Sequence, residues 1–122
     1  MTARVLNTRS QGAIAEDLAC EYLLKHGYKI LQRNYAFVGN FKGGEIDIIA
    51  KHGEAIHFIE VKSRTNDAFG LGREAVGTAK QRTIRKLAIH YLVAHKLYDR
   101  ASVSFDVIEI TCDKVEHLIN CF

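Results

Sequence analysis

Hydrophobic and polar residues follow two different periods along the chain, and these periods predict its elements. Apolar residues at helical spacing predict a helix over residues 11–26, which Gly27 ends. A longer helix is predicted over 73–96, after a polar loop at 63–72. Alternating and short continuous apolar runs predict strands at residues 28–35, 45–50, 55–62, 102–111 and 115–120. This order predicts an α/β fold with a central mixed sheet flanked by helices.

The apolar stripe of each helix marks the face that we expect to pack on the sheet. The stripe of the first helix consists of Ile14, Ala15, Leu18, Ala19, Tyr22 and Leu23. The stripe of the second helix consists of Val76, Ala79, Thr83, Ile84, Leu87 and Tyr91. Lys80 falls inside this second stripe, and one interpretation is that its ammonium reaches a phosphate held over the sheet. The alternative is that its stem packs against the core while its ammonium extends into water.

Two neighbouring strands carry charges that the fold brings together. Asp47 lies on the strand 45–50, and Glu60 and Lys62 lie two residues apart on the next strand, so they point to the same face. Pairing of the strands through the turn at 51–54 places Asp47 beside them. These charges continue an apolar row, and burying them is costly unless they bind something. They predict a site for a divalent metal and a phosphate; the alternative is a solvent-facing strand with ordinary surface charges.

The chemistry of these side chains narrows the choice of metal. Carboxylate oxygens suit hard cations, so Asp47 and Glu60 predict a magnesium site. Lys62 could hold the attacking water or stabilise the charge that develops on a phosphate. Glu16 and Glu21 border opposite edges of the first helical stripe. The period of the helix does not decide which of them supplies a further acidic ligand.

Composition sets the broader class of the protein. The 122 residues predict one domain over 1–122, and 48% apolar with 25% charged residues is typical of a folded protein. The sequence contains no apolar run long enough to span a bilayer and no secretory signal, so we expect a cytoplasmic protein without membrane association. A net charge of +3 is compatible with a polyanionic partner. The three cysteines and six histidines lack metal-binding spacing and are interpreted as structural or surface residues.

Several segments together resemble a known family. They are GEIDIIA at 44–50, FIEVKSR at 58–64, Lys80 in a long helix and FDVIEI at 105–110. They are similar to the YraN-like family of the restriction-endonuclease-like PD-(D/E)xK superfamily, which also resembles archaeal Holliday-junction resolvases. The resemblance implies a restriction-endonuclease-like sandwich. Ile46 stands where the superfamily motif has its proline, which is not a ligand.

The resemblance also implies roles for individual residues. Asp47 and Glu60 become metal ligands, together with the backbone carbonyl of Val61, and Lys62 becomes the catalytic lysine. Glu16 matches the acidic residue that such nucleases often supply from the first helix, which favours it over Glu21. Two further residues match family positions without an assigned role, namely Glu45 and Asp106.

These observations predict a Mg²⁺-dependent endonuclease, with Mn²⁺ as an alternative ion, that hydrolyses DNA, branched DNA included. Lys80 matches the helix position that often lies near the phosphate, and it would act with Lys62. A homodimer is expected because cutting a junction needs two active sites. The rival hypothesis is a DNA-binding or assembly module that keeps the fold without turnover and binds through these lysines. Phosphodiester chemistry on RNA is a third alternative, which no aromatic-rich RNA-binding motif supports.

Overall fold

The computed structural model describes residues 11–36, 44–64, 76–112 and 114–122. Within these ranges the chain forms two helices and five strands. In chain order they are α1 (Gln11–Lys25), β1 (Lys29–Tyr35), β2 (Ile46–His52), β3 (Ala55–Arg64), α2 (Thr78–Ala94), β4 (Ser102–Thr111) and β5 (Lys114–Leu118). The predicted α/β class with a mixed sheet is confirmed.

The five strands form one sheet in the order β1-β2-β3-β4-β5. Three neighbouring pairs are antiparallel, and only β3 and β4 run parallel. A parallel pair needs a crossover connection, and α2 lies in the segment that joins β3 to β4. The β3–β4 ladder is long, from Ala55 opposite Ser102 to Arg64 opposite Thr111.

Each helix covers one face of the sheet, because the strands are apolar on both faces. On one face α2 packs on a cluster that includes Ile49, Phe58 and Val107. On the other face α1 packs on a cluster that includes Ile59 and Ile108. Burying both faces in this way makes a three-layer α/β sandwich whose core is divided by the sheet.

The second helix begins later than the sequence predicts. Gly77 is its N-cap, with φ −67° and ψ 164°, and Val76 before it is buried but not helical. The inward face is also rotated from the predicted stripe, because Ala79 is exposed. The buried residues of α2 are Ile84, Leu87, Ala88, Tyr91 and Leu92. The apolar stripe therefore starts only after the first turn, which leaves Lys80 at the edge of the packed face.

The other predicted elements are confirmed to within a few residues at their ends. β3 continues through Arg64, two residues past its predicted end and into the predicted loop. The rest of that loop and the predicted helical residues 73–75 lie outside the described residues. No helix in the described ranges is long and apolar enough to cross a membrane.

Candidate metal and phosphate site

The site begins where β2 and β3 stop pairing through their backbones. Their register runs from His52 opposite Ala55 to Ile48 opposite Ile59. Just beyond this last pair, the backbone N–H of Val61 donates to Oδ2 of Asp47, at 2.9 Å. A side-chain carboxylate thus occupies the place where the two strands separate, and the hydrogen bond fixes its orientation.

Glu60 lies on the same stretch of β3 and is buried, with 5% of its surface exposed. The ammonium groups of Lys62 and Lys80 each lie 3.7 Å from its Oε2. Its other oxygen, Oε1, is buried and accepts no hydrogen bond in the described part of the chain. An unpartnered carboxylate oxygen is costly to bury, and a cation ligated there would satisfy it.

The charge of Glu60 affects the ionisation of Asp47. Burial, and after it the charge of Glu60, raise the pKa of Asp47 to about 7. The Val61 N–H and the ammonium of Lys80 act in the opposite direction but do not outweigh these causes. A positive charge placed between Asp47 and Glu60 would remove this repulsion, so their electrostatics favour a bound cation.

Lys62 and Lys80 reach the site from different elements. Lys62 follows Glu60 by two residues on β3, and Lys80 lies in the first turn of α2. Their side chains are 38% and 33% exposed, so both ammonium groups remain accessible to a ligand from solvent. Gly44, with φ +108°, approaches the Lys80 ammonium so closely that a Cβ there would lie 3.3 Å from Nζ. The backbone at Gly44, just before β2, therefore lies against the ammonium group of Lys80.

Helix α1 adds Glu16 to the same region. Ligand oxygens of Glu16, Glu45 and Asp47 lie within 4.8 Å of one another. The side-chain amide of Asn34 donates to Oε1 of Glu16 at 3.1 Å and to Oε2 of Glu45 at 2.8 Å. Arg33 lies 3.5 Å from the same Glu16 oxygen and so offsets part of the negative charge. Glu21 is exposed on α1 and is not among the residues of this group.

The side chains predicted from the sequence therefore lie close together, but they differ in which neighbours they contact. Asp47, Glu60, Lys62 and Lys80 form one cluster connected through Glu60, and Glu16 joins it from the side of Asp47. Val61 contributes its N–H to Asp47, and the role of its carbonyl as a ligand stays a prediction.

Sequence reasoning assigns no role to Glu45 and does not single out Asn34. Asn34 is at the end of β1, with φ +54°, and its neighbour Tyr35 pairs with Ile46 of β2. Only this pairing of β1 with β2 brings the amide to the two glutamates. An asparagine at a strand end is usually a turn residue, so its sequence position carries no signal for this contact.

A partly buried ion pair continues the same row of β3. Both Nε and Nη2 of Arg64 donate to Oε2 of Glu109, at 3.2 and 3.1 Å. Glu109 is fully buried, on β4 directly opposite Lys62. Lys62 and Arg64 thus place two positive groups next to the carboxylates along one strand. The alternation of side chains on β3 could have indicated that Arg64 shares a face with Glu60 and Lys62. Glu109 could not be predicted in this way, because the rest of its strand has the apolar pattern of a core strand.

The donor set is suited to a hard divalent cation. All the candidate side-chain ligands are carboxylate oxygens, which Mg²⁺, Mn²⁺ and Ca²⁺ prefer, and no cysteine or histidine is among them. The orphaned oxygen of Glu60 and the raised pKa of Asp47 both fit such an ion. The described residues therefore fit a metal site with two lysines beside it.

Comparison with known proteins identifies the family of the chain. Residues 15–110 match the sequence model of "Uncharacterised protein family UPF0102". The chain is 43% identical over 121 residues to a UPF0102 protein of Geobacter metallireducens, covering 96% of this chain and 95% of that protein. It is 40% identical over 119 residues to one of Clostridioides difficile, covering 96% of this chain and all of that protein. The chain therefore belongs to the UPF0102 family.

Proposed function

We propose that this protein is a Mg²⁺-dependent endonuclease, also active with Mn²⁺, that hydrolyses phosphodiester bonds in DNA. The observation that carries the proposal is the environment of the two carboxylate oxygens of Glu60. One of its oxygens is buried beside Asp47 and has no hydrogen-bond partner among the described residues, and the other lies 3.7 Å from each of two lysine ammonium groups. This is a ligand position for a cation with positive side chains next to it, and such an arrangement suits metal-assisted phosphodiester hydrolysis.

The charges distinguish catalysis from simple binding. Four carboxylates, those of Glu16, Glu45, Asp47 and Glu60, surround the position that a phosphate would approach. They repel a phosphate unless a cation intervenes, and a surface that only binds DNA gains nothing from them. The cluster therefore favours an enzyme over the rival binding module.

The roles of the chain's own groups follow from their positions. Asp47, oriented by the Val61 N–H, and Glu60 would hold the ion, with Glu16 beside Asp47. A bound magnesium ion would supply a charge that polarises the phosphate and lowers the pKa of water. Lys62 and Lys80 would donate to non-bridging phosphate oxygens and stabilise the charge that grows on them in the transition state.

Cleavage assays test the proposal directly. The purified chain is incubated with supercoiled plasmid, single-stranded DNA and a four-way junction, in Mg²⁺, Mn²⁺ or EDTA. We expect metal-dependent nicking of the plasmid, which only an endonuclease produces, and its loss in Asp47→Ala. Glu54→Gln is the matched control, because Glu54 is an exposed carboxylate in the turn at the other end of β2 and β3.

Two results would contradict the proposal. One is cleavage that survives in Asp47→Ala. The other is a folded protein that cuts none of these substrates with either metal and binds DNA equally well with and without Asp47, which would favour the binding module.

The homodimer belongs to the same proposal. The described residues of one chain supply one cluster around Glu60, so cutting two strands symmetrically needs two copies related by a two-fold axis. Light scattering on the protein used for the junction assay measures this. A monomer that makes paired cuts would contradict the dimer while leaving the nuclease in place.

A further inference from the structure

A second group of potential ligands lies on the opposite face of the sheet from Glu60. His57 of β3, Asp106 of β4 and His117 of β5 meet on the face covered by α1, next to Ile59 and Ile108. His57 precedes Glu60 by three residues on one strand, a separation of about 10 Å along the sheet. The proposed nuclease mechanism does not use any of the three.

Their donor atoms converge on one point. Nδ1 of His57 and Nε2 of His117 each lie 2.7 Å from the same oxygen, Oδ2 of Asp106. The side chains of the three residues are 7%, 4% and 0% exposed, respectively for His57, His117 and Asp106. Two imidazole nitrogens and a carboxylate oxygen are thus held together away from solvent.

The surroundings fix the carboxylate in this orientation. Oδ1 of Asp106 accepts hydrogen bonds from the hydroxyl of Ser104 at 2.5 Å and from the backbone N–H of Asn120 at 3.0 Å. Both contacts occupy the oxygen that faces away from the histidines. The ring of Tyr28 packs against both imidazoles, with centroids 5.0 Å from His57 and 5.6 Å from His117. Support of this kind around a ligand set is what orients ligands in metal sites.

We propose that His57, Asp106 and His117 form a site for a borderline divalent ion such as Zn²⁺, separate from the acidic site around Glu60. Imidazole nitrogen with a single carboxylate is a donor set for zinc rather than for magnesium. When the ion binds, Nδ1 of His57 and Nε2 of His117 give up their protons: each neutral imidazole shifts its single proton to its other ring nitrogen, and an imidazolium releases the proton on the ligating nitrogen to solvent. Zinc bonds of about 2.0–2.1 Å place tetrahedral ligands ~3.3 Å apart, so Oδ2 must retreat by roughly 0.6 Å.

The topology indicates what such an ion does. Its three ligands come from three adjacent strands, including the short edge strand β5 of five residues. The ion therefore ties the last strand to the centre of the sheet, and its binding energy adds to the stability of the fold. This role does not depend on the proposed nuclease activity.

Cobalt absorption tests the site without any activity assay. The full chain is stripped with EDTA, dialysed and titrated with Co²⁺, whose visible bands report nitrogen and oxygen ligation, and Zn²⁺ is then added. We expect saturation at one equivalent, loss of the bands when Zn²⁺ displaces Co²⁺, and a higher Tm with Zn²⁺. The Asp47→Ala/Glu60→Gln variant should keep the bands, and His117→Ala should lose them. His52→Ala, at an exposed ring stacked on Tyr28, is the matched control and should keep them.

Bands that persist in His117→Ala, or that disappear in the Asp47→Ala/Glu60→Gln variant, would overturn the proposal, as would their absence from the wild-type chain. Proton NMR of the wild-type chain provides a measurement that does not depend on the folding of a variant. Zn²⁺ should shift the ring resonances of His57 and His117 and leave that of His95 in place. No zinc-dependent change in these two rings would also overturn the site.

Discussion

Asp47 contributes unfavourably to stability and favourably to the proposed function. Burial and the charge of Glu60 raise its pKa from 3.8 to about 7. Between these two values the folded chain retains a proton that the unfolded chain has lost. The free energy of unfolding therefore falls as pH rises through this interval, which is the reverse of the usual behaviour of a paired carboxylate.

Replacing Asp47 with asparagine should stabilise the protein in EDTA. The amide oxygen can still accept the Val61 N–H, but the buried charge is gone. We expect a gain of roughly 1–3 kcal/mol in the free energy of unfolding at about pH 8, and a smaller one at about pH 5, where Asp47 is protonated in the folded chain and only its ionisation in the unfolded chain still disfavours folding. Urea unfolding at the two pH values measures this. If the variant were less stable than the wild-type chain at both pH values, the charge of Asp47 would not be unfavourable in its surroundings.

The Arg64–Glu109 pair makes a second prediction at the residue scale. Glu109 is fully buried and Arg64 is its only ion-pair partner among the described residues, so Arg64→Ala leaves a buried charge uncompensated. We expect a loss of roughly 2–4 kcal/mol, part of which Arg64→Ala/Glu109→Gln recovers. A double-mutant cycle by urea unfolding checks this, with Arg82→Ala, an exposed position on α2, as control. If Arg64→Ala costs no more than Arg82→Ala, the pair does not stabilise the fold.

At the residue scale, the alternation of side chains on a strand predicts that Glu60 and Lys62 share a face, and their common contact is consistent with this. The helical period likewise indicates that Lys80 approaches the sheet. Asn34, Glu45 and Glu109 escape prediction because their contacts depend on which strands pair and in which register. A single sequence carries little information about register.

At the scale of elements, the decisive feature is the end of α2 that faces the site. The apolar pattern correctly predicts that this helix exists, but it predicts a start that is too early. The reason is that Val76 is buried and continues the apolar stripe without being helical. Gly77 caps the helix without a side-chain hydrogen bond. Gly77 has no side chain that could accept a hydrogen bond from the N–H groups of the first turn, in which Lys80 lies.

Gly77→Ser should stabilise α2. Its φ of −67° suits any residue, a Cβ there meets no atom within 4 Å, and a serine hydroxyl can accept a first-turn N–H. We expect a gain of about 0.5–1 kcal/mol in urea unfolding. Gly53→Ala is the matched control. A Cβ at position 53 also meets no atom within 4 Å, but the backbone φ there is +60°, which is unfavourable for alanine. This variant should therefore lose stability. A loss in Gly77→Ser would contradict the cap geometry.

At the scale of the whole molecule, a net charge of +3 attracts DNA only weakly, and the carboxylate cluster opposes it locally. Glu60 in addition holds the two lysines that we propose for phosphate binding. Without a divalent ion, DNA binding is therefore expected to be limited by the acidic cluster rather than by a shortage of basic residues.

Glu60→Gln should bind DNA more tightly than the wild-type chain in EDTA. Removing the charge lowers the repulsion and frees Lys62 and Lys80 to contact phosphates. We expect a several-fold lower Kd for a labelled duplex at low salt, and a difference that shrinks as salt screens these charges. Fluorescence anisotropy measures it, with Glu54→Gln as control. Equal affinities at low salt would mean that DNA does not approach the cluster.

The measurement that tests the central claim most directly is the rate of plasmid nicking in Mg²⁺ by the wild-type chain and by Glu60→Gln, both verified as folded by circular dichroism. If Glu60 holds the ion beside the two lysines, the variant should lose at least about 10²-fold in rate even though it binds DNA no more weakly. Equal rates for the two proteins, or no Mg²⁺-dependent nicking by the wild-type chain, would contradict the account.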